Sequence, residues 1–167
     1  MSIKTFAAKI FAKKIHLKNQ HWIDNPVVTQ KKVFHELIAQ AKDTQFGQDH
    51  DFKNITTFEE FAQKVPIRDY EDLKPYIEKV IKGEENVLWK GKPLYFAKTS
   101  GTTSGAKYIP ITAESMPTHV NAARNAILMY IHETRHSKFV DGKMIFLQGS
   151  PILNDKNGVQ LGRLSGI

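Results

Sequence analysis

The sequence predicts a mixed α/β fold, helical over residues 1–83 and strand-bearing over 87–167, and three observations carry that reading. Apolar residues recur at three- and four-residue spacing through the first half, the pattern of helices with one buried face. From Val87 onward the apolar residues gather instead into short runs, at 87–89, 94–98 and 108–111, of the length and β-branched or aromatic character of strands. Between the last two lies a stretch of hydroxyl residues and glycines too short for a helix, so the local order is strand, loop, strand.

Each element has its own justification. Ile3, Phe6, Ala7, Ile10 and Phe11 make the apolar stripe of a first helix whose other faces carry Lys4, Lys9, Lys13 and Lys14. A basic amphipathic helix can lie on a membrane, but the stripe is short and has no second anchor, so it is expected to dock on the domain. Val33, Phe34, Leu37, Ile38 and Ala41 mark a second helix ending near Phe46-Gly47. Thr57-Phe58-Glu59-Glu60 reads as a capping box that opens a short helix burying Phe58, Phe61 and Val65 and stopping before Pro66. Asp69 starts the next, with Leu73, Tyr76, Ile77, Val80 and Ile81 on one face, Pro75 in the first turn of a restarted helix and Gly83 as its stop. A long helix from about Ser115 to His136 follows the second strand, then a strand at Met144-Ile145-Phe146-Leu147. Asn157-Gly158 is a hairpin signal between Ile152-Leu153 and Val159-Gln160-Leu161.

Bulk properties narrow the function classes. With 167 residues and 41% hydrophobic content, residues 1–167 can bury one moderate core and are expected to form a single unit. The absence of cysteine excludes disulfides and thiolate metal sites and is compatible with a reducing compartment. No apolar run approaches the roughly 20 residues of a membrane span, and the N-terminus lacks the continuous apolar core of a secretory signal, so the cytoplasm is the expected location. The formal charge of +7 favours anionic partners without choosing among them. Its lysines are scattered, with no arginine-rich tract or interleaved aromatic motif, which argues against nucleic acid.

The most chemically loaded stretch is Ala97-Lys98-Thr99-Ser100-Gly101-Thr102-Thr103-Ser104-Gly105-Ala106-Lys107. Glycines admit close backbone approach, so successive N–H groups can turn inward as an anion nest; hydroxyls add donors and lysine adds charge. ATP is the leading ligand. The spacing departs from G-x-x-x-x-G-K-[ST], because Gly101 and Gly105 are four apart and Ala106 separates the second glycine from the lysine.

This T/S-S-G-T-T/S-x-G form with a downstream lysine resembles the phosphate loop of the adenylate-forming superfamily. Phe96-Ala97-Lys98 leading in, Lys107-Tyr108-Ile109-Pro110-Ile111-Thr112 leading out, Val65-Pro66-Ile67-Arg68-Asp69-Tyr70-Glu71 upstream and Gly162-Arg163-Leu164-Ser165-Gly166-Ile167 downstream are similar to the auxin-responsive acyl-acid amido synthetase family, in its bacterial branch. The resemblance covers essentially the whole chain. It implies the N-terminal part of an adenylating enzyme's large domain, in which ATP with Mg²⁺ activates a carboxylic acid as acyl-adenylate and an amine or amino acid displaces AMP.

On that reading Ser100, Thr102, Thr103 and Ser104 supply hydroxyl donors, Gly101 and Gly105 free the backbone N–H groups, Lys107 contributes charge and Thr99 positions the loop start. Arg124, on the helix after the loop, either faces the acyl pocket as in similar enzymes or is a surface arginine. Adenine and ribose contacts, and a mobile lysine-bearing C-terminal portion, come later in the resembling enzymes. The chain is therefore expected to be an N-terminal fragment that does not complete catalysis alone, and the acyl acid and its acceptor, whether amino acid, other amine or coenzyme A, stay open.

His132-Glu133-Thr134-Arg135-His136 is the competing signal, matching the helical zinc motif H-E-x-x-H. Its third ligand is missing. Phe139 and Gly142 stand where the longer motif needs glycine and histidine, and no glutamate follows residue 133, leaving Asp141 and Asp155. No metal ligand is therefore assigned, and the alternative is helix-end chemistry, with Arg135, His136 and Lys138 meeting exposed carbonyls. Beside the ligase, a zinc hydrolase using His132, Glu133 and His136 and a non-catalytic binding domain complete the classes to be separated.

Overall fold

The computed structural model describes residues 2–99, 106–145, 147, 149–150 and 152–163. Its helices are α1 (Ile3–Asp24), α2 (Pro26–Ala41), α3 (Gln45–Asp49), α4 (Phe58–Lys64), α5 (Tyr70–Ile81) and α6 (Met116–Thr134), with 3₁₀ turns at Phe52–Asn54 and Lys138–Asp141. Its strands are β1 (Tyr95–Lys98), β2 (Tyr108–Ile111), β3 (Asn154–Lys156) and β4 (Val159–Gly162). The predicted α/β class, with a helical first half and strands after it, is the observed one. Contacts divide the chain into two compact units, one of Met1–Gln30 with Glu114–Leu147 and one of Lys31–Ala113 with Gln148–Ile167. Among the described residues no helix is long and apolar enough to cross a membrane.

The first unit pairs α1 with α6 and with the turn Lys138–Asp141. Ser2 caps α1 by accepting the Thr5 N–H at 3.1 Å, and the hydroxyls of Ser2 and Thr5 both donate to Asp141. Those two bonds, Ser2 first, hold the Asp141 carboxyl below its ordinary 3.8. The buried residues of α1 are Thr5 and Ala12, whereas Phe6, Ile10 and Phe11 of the expected docking stripe are all more than half exposed. The stripe is therefore not the docking face. Small side chains let one helix approach another closely, and here the larger apolar ones are left to flank that contact. Helix α6 buries Ile131 and ends at Thr134, with Arg135 in the left-handed region at φ 62°. Met144 and Ile145 form no strand, contrary to expectation, and Phe146 lies outside the described residues. A strand needs a partner ladder, which the apolar run alone does not supply.

In the second unit, local rules account for most boundaries. The capping box is present: Thr57 accepts the Glu60 N–H while Glu60 accepts the Thr57 N–H. Asp69 caps α5 by accepting the Asp72 N–H at 3.0 Å. Gly83, at φ 95°, closes α5 as a Schellman turn in which its own N–H reaches Val80 and that of Glu84 reaches Lys79. Three expectations about the helices fail. Helix α5 does not restart at Pro75 but runs through it, the lost ladder bond being offset by the Asp69 cap and by burial of Ile77 and Val80. Phe58 is 65% exposed rather than buried, because the first residue of α4 stands at the rim of the core that Phe61 and Val65 join, its ring meeting Phe34 edge-on at 6.3 Å. Helix α2 ends at Ala41, not near Gly47, since Thr44 breaks the chain to cap a separate helix, α3.

Two apolar clusters hold this unit together. Ile38, Ala41, Phe52 and Ile55 form one, with Phe34, Phe46, Phe61, Val65 and Trp89 against it. Val80, Val87, Phe96 and Val159 form the other, which glues α5 to the sheet. The run 87–89 is not a strand; it docks on the start of α3, where Gln45 and Phe46 donate to the carbonyls of Asn86 and Val87. The sheet order is β2-β1-β4-β3, with β1 antiparallel to β2 and parallel to β4, and β3 antiparallel to β4. Asn157 and Gly158, at φ 54° and 80°, form the two-residue turn from Lys156 to Val159, and Asn157 also donates to the Ile81 carbonyl at 2.6 Å. The hairpin's first arm is Asn154–Lys156, shifted from the expected Ile152-Leu153.

Candidate functional site

The frame of the hydroxyl-rich loop is an antiparallel pair. Lys98 faces Tyr108 across β1 and β2, and the Thr99 N–H donates to the Lys107 carbonyl at 3.0 Å, closing the ladder at the loop's base. Thr99 and Lys107 are thus brought together by their backbones. Ser100, Gly101, Thr102, Thr103, Ser104 and Gly105 lie outside the described residues.

Lys107 is half-buried, and its ammonium group lies 5.3 Å from the centre of the Tyr70 ring. The same tyrosine accepts the Tyr108 N–H on its hydroxyl at 2.8 Å. Tyr108 is held on its other side too: its ring meets Phe96 edge-on at 6.5 Å and carries the Lys156 ammonium at 4.4 Å. Two cationic side chains therefore lean on two tyrosines next to the loop exit, an arrangement suited to an anionic ligand and one that sequence reasoning missed. Its signal in the sequence was an aromatic residue directly after the Asp69 cap, seven residues before Ile77 and so in line with the apolar stripe of α5.

The remaining candidates belong to the first unit. Arg124 is exposed on α6 and donates from Nε and Nη2 to Asn125 at 3.2 and 3.0 Å. The H-E-x-x-H face is broken, because α6 ends at Thr134 and the left-handed Arg135 turns His136 off the helix. His132 instead stacks on His16 with ring centres 3.8 Å apart and planes 14° from parallel, and Glu133 approaches His16 Nδ1 at 3.9 Å. Ligand atoms of His16, His132 and Glu133 lie within 4.8 Å of one another, but a metal in the plane of one stacked imidazole stands well off the plane of the other. Burial first, then the charges of His16 and Arg135, lower the His132 pKa below 6.5. A cavity of about 1010 Å³ in this unit is lined by Lys9, Arg135, Lys138 and Asp141 among others, its carboxylate being the one engaged by Ser2 and Thr5.

A helical first half followed by a mixed sheet, in which adjacent strands β1 and β2 flank the hydroxyl- and glycine-rich segment of the sequence, defines a mixed α/β domain. The GH3 family N-terminal domain matches residues 18–167, and the chain belongs to that family. Relatives include the indole-3-acetic acid-amido synthetase GH3.3 of Arabidopsis thaliana, 34% identical over 89 residues, which are 52% of this chain and 15% of that protein. The jasmonoyl--L-amino acid synthetase JAR4 of Nicotiana attenuata is 26% identical over 136 residues, 80% of this chain and 23% of its own length. A probable indole-3-acetic acid-amido synthetase, GH3.13 of Oryza sativa subsp. japonica, is 41% identical over 58 residues, 34% of this chain and 12% of its own length. The chain thus spans less than a quarter of the length of these relatives.

Proposed function

We propose that this chain is the N-terminal, phosphate-binding part of an acyl-acid amido synthetase, acting in the cytoplasm, that joins a small carboxylic acid to an amine or amino acid at the expense of ATP. A carboxylate resists amide formation because its leaving group would be oxide. In the first step a carboxylate oxygen attacks the α-phosphorus of ATP, the bond to the bridging oxygen breaks, and pyrophosphate leaves with the electron pair. In the second the amine nitrogen attacks the acyl carbon, AMP leaves, and the amine loses a proton.

The observation that carries this reading is the loop's frame in a member of the GH3 family: Thr99 and Lys107 tied across the ladder, with a half-buried lysine at the exit. Loop residues Ser100, Thr102, Thr103 and Ser104 then donate to the phosphates, with Gly101 and Gly105 admitting the backbone. Repulsion between two anions is the main obstacle, so fixed donors and positive charge on the departing pyrophosphate do most of the work. Mg²⁺ travels on the ATP phosphates; the described flanks offer a hydroxyl and an ammonium group, which suit the anion rather than the metal. Arg124 is the candidate partner for the acid.

The test is carboxylate-dependent exchange of pyrophosphate into ATP, measured on the full-length protein. Thr102→Ala is expected to slow it by roughly ten- to a thousandfold, the range for one preorganised donor removed from a charged transition state. Amine transfer from pre-made acyl-adenylate should lose much less, because pyrophosphate has already left. Equal losses in both half-reactions would make the loop structural, and unchanged exchange would remove it from the site.

A further inference from the structure

We propose that Tyr70 is a positioning residue that acts through Lys107, fixing where that ammonium group meets the nucleotide phosphates; the proposal rests on the phosphate-loop reading above. The strand register supplies the first half of the argument. The Thr99 to Lys107 bond makes residues 99 and 107 a hydrogen-bonded pair, so the Lys98 and Tyr108 pair is a non-bonded one, with the Tyr108 N–H pointing away from β1. On that side β2 has no neighbouring strand in the described sheet. An N–H there needs another acceptor, and the Tyr70 hydroxyl supplies it at 2.8 Å.

The second half is electrostatic. The ring face of Tyr70 carries the negative lobe of its quadrupole, and the Lys107 ammonium lies 5.3 Å from its centre, within cation–π range. A lysine side chain with four rotatable bonds is otherwise poorly placed, and holding it reduces the entropy lost when a phosphate binds. The tyrosine can do both because it is the first residue of α5, fixed by the Asp69 cap. Phe96 and Lys156 steady Tyr108 from the other side, so the strand that starts at Tyr108 is a firm base for residue 107.

A double-mutant cycle on the full-length protein tests this, read as kcat for carboxylate-dependent pyrophosphate exchange. Tyr70→Leu is expected to lower kcat by about three- to thirtyfold, the range for a partly desolvated cation–π contact, and Lys107→Ala by more. The double variant should be no slower than Lys107→Ala alone, because a residue that acts through Lys107 has nothing left to position. Tyr70→Phe, which keeps the ring, should stay within about threefold of the parent. Multiplying effects in the double variant, or Tyr70→Leu without effect, would overturn the proposal while leaving the loop assignment standing. If Tyr70→Leu does not fold, Tyr70→Phe decides: a loss much beyond threefold overturns the role given to the ring. Exchange unaffected by Lys107→Ala would overturn the loop assignment and this proposal together.

Discussion

Gly47→Ala puts the packing argument at its most exposed, because helix propensity and local geometry predict opposite signs. Alanine is favoured over glycine inside a helix by about 1 kcal/mol, and Gly47 is the middle residue of α3. A Cβ at this position, however, would lie 2.1 Å from the Ala41 carbonyl oxygen and 2.9 Å from its carbon. That carbonyl must move by more than about 1 Å to reach an ordinary contact. It is not free to do so, since it accepts the Thr44 hydroxyl at 2.7 Å and the Thr44 N–H at 3.0 Å. Losing both bonds costs about 1–3 kcal/mol, and overpacking adds about 1–3 kcal/mol. Setting the propensity gain against these leaves a net destabilisation of about 1–5 kcal/mol, against a stability of the usual order of 10 kcal/mol. Denaturant unfolding of parent and variant measures it as a lower midpoint at unchanged slope. A midpoint equal to or above the parent's would refute the reasoning.

Two further predictions concern pH in the first unit. The Asp141 carboxyl is held below 3.8 by Ser2 and Thr5, so the native state binds fewer protons than the unfolded one in that window; stability is present above 3.8 and is lost as pH falls through the native value. Denaturant midpoints at about pH 5 and pH 3 should therefore fall for the parent and fall less for Asp141→Asn. His132 is shifted the same way, below 6.5, by burial and by the charges of His16, Arg135 and Lys13 against the opposing Glu133. Its contribution is present above 6.5 and is lost on acidification, so hydrogen-exchange protection factors in α1 and α6, corrected for the intrinsic pH dependence of exchange, should fall on going from about pH 7 to about pH 5, and fall less in His132→Gln.

Features that depend on a few neighbouring residues were legible in the sequence. The Thr57 to Glu60 capping box, the Asp69 cap, the Gly83 stop and the Asn157-Gly158 turn all follow from backbone donors that a nearby side chain satisfies or from a φ that glycine or asparagine tolerates. Which face an element buries was less legible. Helix α1 offers Phe6, Ile10 and Phe11 as an obvious stripe and buries Thr5 and Ala12 instead, and nothing in residues 1–24 announces an Asp141 far along the chain that takes up the Ser2 and Thr5 hydroxyls. The run at Met144 and Ile145 has strand composition but no ladder.

The candidate site divides along the same line. Its frame could be read from composition, because the apolar runs 94–98 and 108–111 leave no room for a helix between them and pair as the strands β1 and β2. Its support could not. The Tyr70 contact to Tyr108 joins residues 38 apart, and neither the start of α5 nor the edge of β2 requires a tyrosine by itself. The requirement arises only when the register turns the Tyr108 N–H outward and the helix start arrives beside it. A hydroxyl then completes the strand edge, and the ring beneath it gives Lys107 a surface to lie on. Phenylalanine keeps the second of these and loses the first, while leucine loses both. The order of kcat among the parent, Tyr70→Phe and Tyr70→Leu therefore separates the ring's part from the hydroxyl's, and a phenylalanine variant as slow as the leucine one would assign the role to the hydroxyl alone.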